Sequence, residues 1–239
     1  GTLGAAIGTV LATTLVGIVA IRMLLTERLV VGFPKGDRRP DWTMIRSLFR
    51  FGLPAGIQGV AMNVAGLLLL HFIGSLPESA AAQAAYAVGY TELFSMITWT
   101  SVGLMGAAAA AAGQNLGAGR PERSVEAVRK AAFGGLLIAA GVGTLFVLIP
   151  EKLLWAFGLT DPAVTRLGSE LLGYLAFSGF FITVALTYTG GLQGTGDTRS
   201  PLYITIVSQI VVPLGTCALL QSSGNLTSRG IWTAIVLGH

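Results

Sequence analysis

The stretch AAYAVGYTELFSMITWTSVGLMGAAAAAA, residues 84–112, carries a single charged side chain, Glu92. It is far too long for a strand and shows no strict alternation, so helix is the only reasonable reading. At about 1.5 Å per residue such a helix exceeds the roughly 30 Å of a bilayer's hydrocarbon core. Working outward, five more stretches have the same character: Leu3–Leu25, Leu53–Gly74, Val125–Ile149, Leu167–Leu192 and Leu202–Leu220, with a seventh beginning at Ile231. The sequence therefore predicts an all-α, polytopic transmembrane helix bundle.

Composition agrees. Hydrophobic residues make up 53% of the chain and charged residues 11%, against about 25% charged in a soluble domain. So much apolar surface cannot be hidden in one core of this size, and membrane lipid is the solvent it implies. The 33 glycines suit close helix packing in a membrane better than flexible linkers. Cys217 is the sole cysteine, which excludes an internal disulfide and any thiolate metal cluster.

The formal net charge of +4 is distributed in a way that speaks for topology and against a nucleic-acid partner. Arg28, Lys35, Arg38, Arg39, Arg46 and Arg50 lie between the first two spans. Arg120, Arg123, Arg129 and Lys130 follow the third, and Arg199 follows the fifth. The alternate loops hold only Lys152, Arg166 and Arg229. The excess of Lys and Arg marks the first set as cytoplasmic. Residues 27–50, with Pro34, Gly36 and Pro40, read as a linker that ends in an interfacial amphipathic helix capped by Asp41 or Thr43. Gly1 opens directly into an apolar run, and residues 230–239 give about 15 Å of helix, so the chain is expected to be part of a longer protein.

Signatures of soluble enzymes are missing: there is no phosphate-binding Gly-Lys-Ser/Thr loop, no His-Glu-x-x-His pair and no Gly-x-Ser-x-Gly elbow. No enzymatic activity, cofactor or metal is expected. Glu92 is the informative residue, because an ionisable group at membrane depth is costly unless it is paired, hydrated or used. It suits a proton carrier or an anionic ligand for Na⁺ or a cationic substrate; the structural alternative is a hydrogen bond to a neighbouring helix. Ser95, Met96 and Trp99 follow at helical spacing on its face, and Trp99 can stack on a cation or simply fill space. Gln58 and Asn63 lie inside the second span as cavity-lining groups or interhelical hydrogen-bond partners. About 140° of helix separates them, so at most one faces a cavity centre. Tyr86 and Tyr90 share a different face, and Pro213 is expected to kink the sixth span.

Three motifs carry a family resemblance: Leu48-Phe-Arg-Phe-Gly-Leu-Pro54, Gly113-Gln-Asn-Leu-Gly-Ala-Gly-Arg-Pro-Glu-Arg123 and Gly190-Gly-Leu-Gln-Gly-Thr-Gly-Asp-Thr-Arg-Ser-Pro201. In order and spacing they resemble the entry to the seventh helix and the loops after the eighth and tenth helices of the multidrug and toxic compound extrusion (MATE) family. The resemblance implies twelve helices in two lobes. Residues 1–26 would then be the last helix of the amino-terminal lobe, 27–50 a cytoplasmic linker, and 51–239 the carboxy-terminal lobe up to the start of its last helix. Loops 113–124 and 193–200 would be cytoplasmic and the membrane a bacterial inner membrane. It implies export of small organic cations or drugs in exchange for H⁺ or Na⁺, with Glu92 matching a cavity acid of the eighth helix in some members. An acid that some members carry in the seventh helix is replaced here by Met62 or Asn63, and the tenth helix has no deep acid. Alternatives are a lipid-linked oligosaccharide flippase of related fold, which would want a cationic cavity, and a membrane scaffold. The glycines Gly117, Gly119, Gly194 and Gly196 are expected at tight turns with positive φ where helices end.

Overall fold

The computed structural model describes residues 2–26 and 40–239. The basic residues Arg28, Lys35, Arg38 and Arg39, and most of the predicted linker, lie outside the described residues. Among the described residues every regular element is helical, and six helices are long and apolar enough to cross a membrane. The chain divides into two compact units, Gly1–Ile45 and Arg46–His239.

The first unit is dominated by α1 (Thr2–Leu25). Its stretch Ala6–Leu25 has a mean hydropathy of 2.0, a lipid-grade segment by composition.

The next helix corrects one expectation. Among the described residues no separate interfacial helix precedes the second span; α2 runs unbroken from Trp42 to Gly74. Asp41 is its cap, as expected, with Oδ1 accepting from the Thr43 and Met44 amides at 2.8 and 3.2 Å. Pro54 therefore sits well inside a helix.

The remainder is built around α7 (Pro162–Gly194). Asp161 starts it, Oδ1 accepting from the Ala163 and Val164 amides, with Pro162 in the first turn, where its missing N–H is harmless. The helices α4 (Ser95–Gly117) and α5 (Pro121–Leu148) pack along it and against each other. Small residues make this possible. A Cβ added at Gly190 would lie 2.1 Å from the Met105 carbonyl oxygen, and one at Gly194 2.1 Å from that of Ala109. Two glycines one turn apart on α7 thus lie against two residues one turn apart on α4, backbone to backbone, the close-approach packing favoured in membranes. Hydroxyls tie the same helices: Ser101 to Thr183 at 2.9 Å, and Ser124 to the Ala112 carbonyl at 2.9 Å. Leu171, Leu172 and Leu175 of α7 are fully buried with Ile73, Phe94, Phe146 and Trp232.

The third span is longer than its apolar core suggested. It comprises α3 (Ser79–Tyr86), a π-helical turn over Ala87–Leu93, and α4. The Phe94 amide donates to the Gly89 carbonyl, five residues back, at 3.0 Å. A second π turn, Ile206–Val211, separates α8 (Arg199–Thr205) from α9 (Val212–Ser222). Pro213 lies just beyond it and cannot donate to the carbonyl four residues earlier. Two further helices complete the unit: α6 (Pro150–Ala156), a short element the apolar pattern did not reveal, and α10 (Ser228–Gly238), capped by Thr227.

The loop glycines divide. Gly119 and Gly196 have φ of 71° and 92°, as a left-handed turn requires. Gly117 and Gly194 are instead the last helical residues of α4 and α7, so the expectation of positive φ is wrong for them. At Gly194 the need for glycine is the contact with α4.

Asp197 closes the second of these loops. Its Oδ1 accepts from the Arg199 and Ser200 amides at 3.1 and 3.0 Å. Hydrogen bonding from the Ser200 side chain, then from its amide, holds the Asp197 carboxyl below its ordinary range. A carboxyl lowered on folding stabilises the folded loop above its unfolded value of about 3.9, and that contribution is lost as pH falls through the lower, folded value. Amide exchange at Arg199 and Ser200, followed from neutral to strongly acidic pH, should therefore accelerate relative to the intrinsic rate only below about pH 4, and Asp197→Asn should remove that step.

Candidate functional site

The predicted site residues fall into two groups. Gln58 is buried, its Nε2 donating to Thr205 Oγ1 at 2.7 Å while its Oε1 accepts from Gln193 Nε2 at 3.2 Å. This amide ties α2 to α7 and α8. Asn63 points elsewhere: it is exposed and its Nδ2 donates to the Gly59 carbonyl of its own helix at 2.8 Å. Of the two, Gln58 lines the interior cavity and Asn63 does not.

Gln58 borders a cavity of about 320 Å³ lined by α2, the first π turn, α4, α7, the second π turn and the end of α10. Its polar lining includes Tyr90, Thr98, Gln193, Gln209 and His239, and Met62, Val102, Met105, Ile182 and Leu186 supply apolar wall. A smaller space of about 100 Å³ adjoins it, sharing Met62, Tyr90, Gln209 and His239 and adding Tyr86 and Pro213. Each π turn contributes a side chain to both, Tyr90 from the first and Gln209 from the second. Such turns concentrate at functional sites because the extra residue re-aims its neighbours.

Glu92 does not join this cavity. It is exposed, as are Met96 at 58% and Trp99 at 72%. The three occupy one face of the third span, the face their spacing predicted, and Ser95 beside them donates to the Glu92 carbonyl. Tyr86 and Tyr90 turn the other way, inward, and stack at 4.9 Å. The first π turn thus presents an acid on one side and a phenol on the other.

The sequence reading missed His239 and Gln209. His239 is half-buried at the end of α10, with Nε2 3.3 Å from the Tyr90 hydroxyl and Nδ1 hydrogen-bonded to Ser178 Oγ. Gln209 Nε2 donates to the Gly238 carbonyl at 2.7 Å. Nothing in local sequence marks these residues, because they meet only once α10 folds back against α7. Among the described residues no group of three or more His, Cys, Asp or Glu side chains could hold a metal ion.

The MatE family profile matches residues 54–219, the segment that carries both π turns and the Glu92 face. The chain belongs to the MatE family. Over 236 residues it is 25% identical to the probable multidrug resistance protein NorM of Thermotoga maritima, covering 99% of this chain and 50% of that one. It is 31% identical over 206 residues to the multidrug resistance protein PmpM of Pseudomonas aeruginosa, covering 83% and 42%. The chain spans about half the length of these relatives. Among solved structures it resembles a MATE protein in a bent conformation, with TM-score 0.81, 20% identity and coverage of 98% of this chain and 51% of that one. An outward-facing MATE transporter of the MOP superfamily matches with TM-score 0.78 and 20% identity over 100% and 53%. At such identities these likenesses establish the fold, an integral membrane helix bundle of the MatE type.

Proposed function

We propose that the chain forms part of a secondary active antiporter that exports cationic or amphipathic organic compounds in exchange for H⁺ or Na⁺. Residues 51–239 would be one lobe, residues 1–26 the last helix of the other, and residues 27–50 the cytoplasmic connection between them. Similarity to multidrug resistance proteins supports the class.

The observation that carries the reading is the exposed face of Glu92, Met96 and Trp99 on a membrane-length helix. An acid at that depth is not stable against lipid. This face therefore belongs against the other lobe or a water-filled path between lobes. There a carboxylate attracts a cation, Trp99 offers an aromatic face to it, and Met96 adapts to varied apolar shapes. Rocking of one lobe against the other would expose this face to each side in turn.

A flippase for anionic lipid-linked sugars is less well supported, because no Lys or Arg lines either interior cavity. The positive residues of the loops support a cytoplasmic position for 27–50, 113–124 and 193–200, in a bacterial inner membrane.

The test is accumulation of a fluorescent organic cation such as ethidium in drug-sensitive bacteria that express the full-length protein, with and without a Na⁺ gradient. Accumulation below that of the empty-vector strain, reversed when the ion gradients are collapsed, is the expected result. Accumulation equal to the vector control would overturn the reading.

A further inference from the structure

Resting on that antiporter reading, we propose that His239 is a proton-binding group of the carboxy-terminal lobe, seated so that its imidazole can hold or release a proton without losing a partner. The setting differs from the carboxylate sites usual for proton coupling, since no Asp or Glu lines the two adjoining cavities that His239 borders.

Each ring nitrogen faces a hydroxyl, Nδ1 that of Ser178 on α7 and Nε2 that of Tyr90 on the first π turn. A hydroxyl can donate to a bare nitrogen and, by rotating, accept from a protonated one. Both neutral tautomers and the doubly protonated ring are therefore satisfied by the same two oxygens. A backbone amide or carbonyl in either place would admit only one of these states.

Aromatic rings also lie beside the imidazole. Phe94 lies parallel to it, with centroids 5.6 Å apart and planes 10° apart, and Tyr90 lies at 6.1 Å and 25°. Aromatic faces at about 6 Å attract a cation, most strongly where water is excluded. Tyr90 and Phe94 are themselves 5.5 Å apart, so the two rings lie together on one side of the imidazole; a positive imidazolium beside them gains this attraction, and a neutral ring does not.

Other titratable groups are few on every side. From α3 and the π turn come Tyr86 and Tyr90; the lining residues of α2, α4, α7, α9, α10 and the second π turn contribute no further acid or base to these cavities. The nearest acid on the same turn is Glu92, two residues beyond Tyr90 on the opposite, exposed face. Movement of that turn in answer to a charge on His239 would re-aim Glu92, which gives the proton a route to affect the cation-facing side.

Two measurements on the full-length protein decide the matter. In proteoliposomes without Na⁺, ethidium transport driven by an imposed pH gradient is compared for wild type, His239→Gln, Ser178→Ala and Tyr90→Phe. His239→Gln should lower pH-driven transport about tenfold and flatten its pH profile, while Tyr90→Phe, which keeps the aromatic face, should shift the midpoint by about one pH unit. A wild-type profile in His239→Gln would overturn the proposal. Independently of any transport, ¹⁵N-histidine NMR of wild type minus His239→Gln isolates this ring. Conversion from neutral to doubly protonated between about pH 8 and about pH 4 is the expected result, and a ring neutral throughout would overturn the proposal. Failure of wild type to move ethidium under any gradient would count against the antiporter reading, and the NMR titration would still decide the role of His239.

Discussion

Gly190→Ala should destabilise the protein by about 2 to 3 kcal/mol, at the upper end of the cost of forcing one extra carbon into a packed interior. The new Cβ would fall 2.1 Å from the Met105 carbonyl oxygen and 2.7 Å from its carbon. These are backbone atoms of α4, so no side-chain rotation relieves the clash and the helices must separate. Separation would stretch the nearby Ser101–Thr183 hydrogen bond, whose loss costs more where no water replaces it. Gly134→Ala and Gly141→Ala on α5 are the controls, since a Cβ there meets nothing within 4 Å. Those changes should be neutral or slightly stabilising, by the usual preference for alanine in helices. Thermal unfolding of the full-length protein in detergent, followed by tryptophan fluorescence, separates the two outcomes. Equal melting temperatures for Gly190→Ala and the α5 variants would show that α4 and α7 do not approach so closely.

Glu92→Gln should lower export of organic cations about tenfold or more, the scale of a lost charge-assisted contact, while leaving the melting temperature close to wild type. The reason for this split is the exposed position of the side chain: its neighbours Met96 and Trp99 are exposed too, and its carboxylate supports no packing in the described lobe. An amide keeps the shape and the hydrogen-bonding capacity but not the negative charge. A neutral amphipathic substrate should accordingly be less affected than ethidium. Accumulation assays on paired cationic and neutral dyes make the comparison, and unchanged ethidium export in a stably folded Glu92→Gln protein would remove Glu92 from the transport path.

The two predictions draw on different kinds of information. The stripe of Glu92, Met96 and Trp99 was visible as spacing along one helix, because a regular helix converts sequence distance into angle. That conversion survived even though Glu92 lies in a π turn, since the widened turn ends at Leu93 and the α-helical register resumes at Ser95. The angular separation of Gln58 and Asn63 was legible for the same reason. Gly194 and Gly196 both read as turn-formers in the sequence, yet the structure uses Gly194, with Gly190 one turn earlier, as contact surface and leaves positive φ to Gly196. Sequence shows that a residue is small; only the neighbouring helix shows what its smallness admits.

By itself, then, the sequence determined the solvent, the helical class and the approximate spans. These depend on hydrophobicity and hydrogen bonding within single segments, which a bilayer enforces locally. Tertiary structure alone decided that Trp42–Gly74 is one helix, that two π turns face a shared cavity, and that Tyr90, Ser178, Gln209 and His239 meet there. Those features arise from contacts between residues far apart in the chain. Their partners lie on different helices, and no local period records which helices become neighbours or how closely they pack.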